Sequence, residues 1–271
     1  MTQEAWLAVH PYLLSVAQFH AQVEKAAASL PLALACLPYW HDYEVDYLAG
    51  VPLLQSCGST IDLRPVGITL EALIAKLGST ALPDKLTQDI RDLQAELDQD
   101  ADASQRAVAK LLDLDTRVSS NCGLLQYLGW TMMSRYLSRV VDAFGNWRDE
   151  ERWLRRYCPT CGSRPAMAQL IGIDPGRVRL LSCGCCRTRW QYRRTGCPFC
   201  ENQDDHRLAI LVIEGEKDLR LDHCESCGGY IKTYNGTGNE SLLLADWTSL
   251  HLDIIARDRG LHRSAASLYE L

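Results

Sequence analysis

The chain has 271 residues, 47% hydrophobic and 23% charged, enough to bury a core without disulfide staples. A net charge of −6 and a pI near 5.7 argue against a surface shaped wholly for nucleic acid. The longest apolar stretch, Leu30 to Trp40, is broken by Pro31 and Pro38 and is too short for a membrane span.

In chain order, residues 4–28 carry a helical pattern, with Trp6, Val9, Leu13, Val16 and Phe19 on related faces. Residues 30–62, rich in Pro, Gly and aromatics, read as irregular or short helical connections. Thr69 fits an N-cap for a helix over Leu70 to Leu77, stopped by Gly78. Leu82 to Leu97, Ser104 to Leu114 and Asn121 to Phe144 follow as helices, ahead of Trp147 to Tyr157. Near the end, Asn239 is expected to cap a final helix with Leu243, Trp247, Leu250 and Ile254 as its apolar stripe, ending at Gly260. That stripe needs a partner, so the helix is expected to pack back near the helical half.

Between these segments lie four Cys-x-x-Cys pairs: Cys158/Cys161, Cys183/Cys186, Cys197/Cys200 and Cys224/Cys227. Two thiolates three positions apart grip one metal ion from a single turn, and two such turns complete a tetrahedral four-sulfur site. Cys158 to Cys197 and Cys161 to Cys200 have one separation; Cys183 to Cys224 and Cys186 to Cys227 share another, so the region is one unit written twice. Each unit reads as knuckle, strand, turn, strand, knuckle: Ala166 to Ile173 and Val178 to Ser182 in the first, Leu208 to Ile213 and Leu219 to Leu221 in the second. This is a rubredoxin-like or zinc-ribbon module. The simplest ligand sets are Cys158, Cys161, Cys183, Cys186 and Cys197, Cys200, Cys224, Cys227; pairing across the units is the alternative. Four thiolates suit zinc or iron alike, and a closed site leaves no position for substrate.

Cys36, Cys57 and Cys122 lack paired spacing and are expected to be reduced, buried thiols in apolar helical surroundings rather than ligands. Cys185 adds a ninth sulfur as a bystander, and His206 reads as a solvated loop residue. Met1 to His20 has Glu4 and no basic leading segment, which predicts no signal peptide and a cytoplasmic location. The resulting fold class is α+β: a helical domain over 1–156, rubredoxin-like units over 157–195 and 196–236, and a C-terminal helix within 237–271. Residues 147–200 hold 11 arginines, 4 acids and no lysine, between acidic flanks. Part of that excess offsets thiolate charge. Arg187, Arg189, Arg193 and Arg194, beside the knuckles, are the expected partner-binding residues.

The run Cys158-Pro-Thr-Cys-Gly-Ser-Arg-Pro165, Leu181-Ser-Cys-Gly-Cys-Cys-Arg-Thr-Arg-Trp190, Arg193-Arg-Thr-Gly-Cys-Pro-Phe-Cys200 and Cys224-Glu-Ser-Cys-Gly-Gly-Tyr-Ile-Lys232 resembles the formate dehydrogenase accessory protein family (FdhE). Asp246, Leu252-Asp253 and Gly260-Leu261 fit that family's closing helix. The resemblance implies a cytoplasmic assembly factor rather than an enzyme. It also implies iron in rubredoxin-like sites, with zinc as the alternative, and contact with the catalytic subunit of a molybdenum or tungsten formate dehydrogenase. The residues alone leave two rivals, an iron-based electron-transfer or thiol-redox protein and a ribbon-type nucleic-acid binder. No nucleophile triad, phosphate loop or dinucleotide fingerprint is visible in the sequence.

Overall fold

The computed structural model of the chain describes residues 1–99, 102–112, 122–173 and 175–265. Its helical part comprises α1 (Gln3–Val9), α2 (Leu14–Ala28), α3 (Trp40–Ala49), α4 (Arg64–Gly78), α5 (Asp84–Leu97), α6 (Ala103–Leu112), α7 (Cys122–Trp147) and the short α8 (Glu150–Trp153). Strands β1 (Pro165–Ile171), β2 (Val178–Cys183), β3 (Arg189–Tyr192), β4 (Leu208–Val212), β5 (Leu219–Cys224) and β6 (Gly229–Asn235) follow. Helices α9 (Glu240–Leu243) and α10 (Leu250–Asp258) then lead to a short β7 (His262–Arg263). The class is α+β, as the sequence predicts.

The long helix α7 organises the helical part. Met133, Leu137, Val140 and Phe144 recur at helical spacing and are fully buried. They meet Leu70, Leu73, Ile74 and Leu77 of α4 in one continuous core. Truncating any of these leucines to Ala costs about 2–5 kcal/mol, since the packed surroundings cannot collapse into the space. An aromatic group, Trp40, Tyr43, Tyr47, Phe144, Trp147 and Trp153, closes the end of this core nearest the cysteines, with Tyr47 stacked on Trp153 at 5.5 Å.

Several sequence expectations change. The helix expected over 4–28 breaks at His10–Pro11, where proline has no amide to donate, and Val9 is exposed. Thr69 is not a cap: α4 starts at Arg64 with Pro65 in its first turn, and the Thr69 hydroxyl donates to Pro65 O at 2.8 Å. The closing stretch is α9, a 3-10 turn (Asp246–Ser249) and α10 rather than one helix. Ile254 is exposed, whereas Leu243, Trp247 and Leu250 are buried as expected. The expected ends at Leu114 and Asn121, and the Cys122 side chain, lie outside the described residues.

All the strands join one sheet, in the order β3-β2-β1-β6-β5-β4, with β7 on β6. Each unit therefore has a third strand after its second knuckle, β3 in the first and β6 in the second. Within each unit neighbouring strands are antiparallel. The units join through a parallel pair, β1 with β6, in which Met167 faces Lys232 and Ala168 faces Thr233.

The closing segment lies over the second unit and the N-terminus. Trp247, Leu250, Leu252 and Ala256 share a core with Trp6, Leu13 and Ala17 and with Leu219, Leu221, Tyr230 and Tyr234 of the sheet. Trp6 Nε1 donates to Thr248 O at 3.1 Å. Beneath it lies a buried ionic group. Lys232 Nζ, 1% exposed, sits 2.6 Å from Asp246 and 2.7 Å from Asp253. Arg263 pairs with both carboxylates at 2.7 and 3.2 Å, and Tyr230 donates to Asp253 at 2.7 Å. Tyr230 and Lys232, just after the last knuckle, thus meet Asp246 and Asp253 of the closing segment in one place.

Candidate metal centres

The eight paired cysteines gather into two groups of four, Cys158, Cys161, Cys183, Cys186 and Cys197, Cys200, Cys224, Cys227, each with its sulfurs within 4.8 Å of one another. Both groups form within a unit, not across units. The knuckles share one local geometry. The amide of the residue after the second cysteine donates to the first cysteine's carbonyl at Cys158/Gly162, Cys197/Glu201 and Cys224/Gly228. In all four knuckles that residue is left-handed: Gly162, Arg187, Glu201 and Gly228 have φ between +61° and +82°. Arginine and glutamate adopt it at a cost of order 1 kcal/mol because the turn that presents two sulfurs to one point demands it.

Sulfurs facing each other from the two knuckles stand 3.4 and 3.5 Å apart in the first centre and 3.7 and 3.8 Å in the second. Four sulfurs about 2.3 Å from a tetrahedral ion stand about 3.8 Å apart. The second group matches that figure and the first needs only slight expansion, so both donor sets fit one tetrahedral ion.

The centres differ in surroundings. All four sulfurs of the first belong to buried residues. The amides of Leu53 and Leu54 donate to Pro159 O and Thr160 O at 2.9 Å, tying the first knuckle to the helical part. Gly184 packs so closely on Trp130 of α7 that a β-carbon there would lie 2.9 Å from the indole. Ser163 and Thr188 hydroxyls stand 3.3 and 3.0 Å from the sulfurs of Cys161 and Cys186. Burial pushes the Cys158 and Cys183 thiols well up; at Cys186 burial acts the same way, but bonds from neighbouring thiols and Thr188 outweigh it and bring that thiol down. A dry pocket of this kind keeps four thiolates only with a cation among them. In the second centre Cys200 is exposed and Cys227 half-buried. Burial there pushes Cys197 up to about 12. At Cys224 amide bonds and neighbouring thiols overcome burial and hold it at about 7.

Cys185 is buried against the first centre but outside its four sulfurs. Cys36 and Cys57, expected to be buried in helical surroundings, are exposed in loops. In the native protein, iodoacetamide should therefore label Cys36 and Cys57 rapidly and Cys185 slowly, and Cys36→Ala/Cys57→Ala should leave metal content unchanged. A fall of one equivalent would show a ligand among them. His206 is exposed, as expected.

The four arginines singled out in the sequence do not share one face. Arg187, paired with Glu24 at 3.2 Å, and Arg189, bonded to Gln169, line a cavity of about 380 Å³ between α7, the first unit and the closing segment. Arg194 lines a different cavity of about 450 Å³ beside the second centre, while Arg193 is exposed and lines neither. That second cavity holds further arginines that sequence reasoning missed: Arg177, Arg179 and Arg220, against Asp205 and Asp222. Arg179 lies on β2 of the first unit with Arg177 just before it, and Arg220 on β5 of the second, so no local motif announces them.

Two closed four-sulfur sites on tandem three-stranded units, set against a helical domain, define a protein able to hold two metal ions in the rubredoxin-like manner. Among known proteins, the chain is 31% identical over 115 residues to a protein named FdhE homolog from Aquifex aeolicus, a match covering 41% of each chain. It is also 31% identical over 140 residues to an FdhE homolog from Citrobacter koseri, covering 50% of this chain and 45% of that one. These matches span less than half the length of the curated relatives. The FdhE crystal structure from Pseudomonas aeruginosa has the same fold, with a TM-score of 0.60 and 22% identity over 91% of this chain and 84% of that one. No protein-family profile matches the chain. The resemblance to FdhE proteins thus holds in sequence and in fold.

Proposed function

We propose that the protein is a cytoplasmic accessory factor for the maturation of formate dehydrogenase. In this reading it binds the immature catalytic subunit and carries two ions, iron in preference to zinc, on Cys158, Cys161, Cys183, Cys186 and on Cys197, Cys200, Cys224, Cys227. The observation that carries it is the pair of closed tetrathiolate centres on an FdhE-like fold. Four protein sulfurs leave no coordination position for a substrate, so the centres act by shaping a surface or by passing an electron. Among the described residues, no helix is long and apolar enough to cross a membrane.

The arginine-lined cavity beside the second centre supports docking on that side, since its surplus of guanidinium groups suits an acidic segment of the partner. Charge at the rim chiefly sets association rate. The test is capture of the catalytic subunit by wild type and by Arg193→Glu/Arg194→Glu, with Arg187→Glu as a control at the other cavity and metal content checked throughout. The double variant should keep both ions and associate about ten-fold more slowly at low salt, a gap that narrows as salt screens it. Capture at the wild-type rate would move the docking surface elsewhere. A second reading, electron transfer by bound iron, is favoured by the exposure of Cys200. Reversible one-electron reduction at the second centre, without capture of the catalytic subunit, would establish it instead.

A further inference from the structure

Away from the cysteines, three side chains from distant segments converge. His10 lies in the break between α1 and α2, Glu216 in the turn joining β4 to β5, and His251 in the first turn of α10. Glu216 Oε1 stands 2.7 Å from Nε2 of both histidines. The three side chains are only 8% to 13% exposed, and their donor atoms fall within 4.8 Å of one another. His10 Nδ1 is 3.0 Å from Trp6 O. A carbonyl can only accept, so Nδ1 carries a proton and Nε2 is aimed at Glu216. An imidazole held by its far nitrogen on a backbone carbonyl is the arrangement that orients a metal-bound histidine. The ring is held further by stacking on Trp6 at 3.9 Å, and Tyr12 sets its edge against both histidines.

We propose that His10, Glu216 and His251 form a third metal site, for one divalent transition ion of the zinc class. Two imidazoles and one carboxylate, without sulfur, suit zinc and its neighbours, and three protein ligands leave a position for water or an incoming ligand. Without an ion, His10 needs both its protons to serve Trp6 O and Glu216, while His251 Nδ1 is buried with no hydrogen-bond partner among the described residues. An ion takes the place of the protons between the Nε2 atoms and the carboxylate. Bonds of about 2.1 Å place neighbouring ligands about 3.0–3.4 Å apart. Binding therefore opens the group by a few tenths of an ångström, a movement the turn holding Glu216 can supply. The ion would tie the start of the chain to its closing helix through the edge of the sheet, stabilising the arrangement by mass action.

The test uses the full chain with both cysteine centres filled. On equilibration with zinc at pH 7.5, the metal content should rise from two equivalents to three, and a mild chelator should remove the third first. His251→Gln and Glu216→Gln should each return the total to two, with the thiolate-bound metal unchanged. Cobalt(II) added as a probe should give a visible spectrum without new thiolate charge-transfer bands, and zinc should shift the ring signals of both histidines in the wild type. A total that stays at two in excess zinc, with both His10 nitrogens protonated by nitrogen NMR, would make the group an ion pair only. A third equivalent that survives both substitutions would place the ion elsewhere. If a variant fails to fold, the wild-type titration and ring signals decide the matter.

Discussion

Replacing Cys161 with Ser should remove one metal equivalent and loosen the junction between sheet and helices. Replacing Cys200 should remove the other and leave the helical core standing. The asymmetry follows from position. Cys158, Cys161, Cys183 and Cys186 are 0% to 3% exposed within the main core, beside Trp153 and Trp190. Their knuckle holds the loop amides of Leu53 and Leu54. A structural four-sulfur ion contributes on the order of 10 kcal/mol to the folded state, comparable with the whole net stability of a typical domain, roughly 5–15 kcal/mol. Loss of the first ion also leaves buried sulfurs that must protonate and repack. The second centre has Cys200 at the surface and Cys227 half-buried, so water can take over part of what the ion supplied. Metal content and thermal unfolding of the two variants test this, together with the order in which a chelator strips the wild type. Release of the second ion first, and a larger fall in melting temperature for Cys161→Ser, are expected. If Cys161→Ser keeps two ions, or Cys200→Ser loses both, the ligand sets are wrong.

How much of this was legible in the sequence depends on the range of each signal. A Cys-x-x-Cys knuckle is local, so the sequence groups the eight sulfurs as the structure does. The third strands are less local. Arg189-Trp-Gln-Tyr192 alternates in burial but is only four residues long, and Gly229–Asn235 is buried on both faces with a lysine at its centre. Its parallel partner β1 lies some sixty residues away in the chain, beyond any pattern a window can show. Cys36 and Cys57 illustrate the opposite error: Cys36 has apolar neighbours and Cys57 sits in the polar run Gln55 to Thr60, yet both lie in loops that leave the thiols exposed. The arginines were legible as composition but not as a surface, because the fold spreads them over two cavities and, at Arg193, the open surface. The group of His10, Glu216 and His251 left no trace in the sequence, its members being spread over 242 positions of chain.

Lys232→Met should be among the most destabilising changes outside the thiols. The buried group holds two cations, Lys232 and Arg263, and two anions, Asp246 and Asp253, so it is neutral as built. Removing the lysine leaves two buried carboxylates sharing one guanidinium, and breaking a buried pair this way costs about 3–5 kcal/mol. In a chain of this size that lowers the melting temperature by on the order of 10 °C. A methionine keeps most of the volume, so the loss reports charge more than packing. Acid should narrow the difference. Burial alone would raise the Asp246 carboxyl, but Arg263 and Lys232 outweigh it and hold the group well below the usual carboxylate range. A depressed native value means that its stabilisation is fully present above the unfolded value, about pH 4, and fades as the pH falls towards the native one. Denaturant midpoints of wild type and Lys232→Met should therefore differ by a constant amount from pH 7 to about pH 5, then converge below about pH 4. Adding Asp246→Leu to Lys232→Met restores neutrality by leaving Arg263 with Asp253, and should recover much of the loss. A single-variant cost under about 1 kcal/mol, or a double variant no better than the sum of the two single changes, would mean that apolar contacts with Trp247 and Leu252, not charge, hold the closing segment on the sheet.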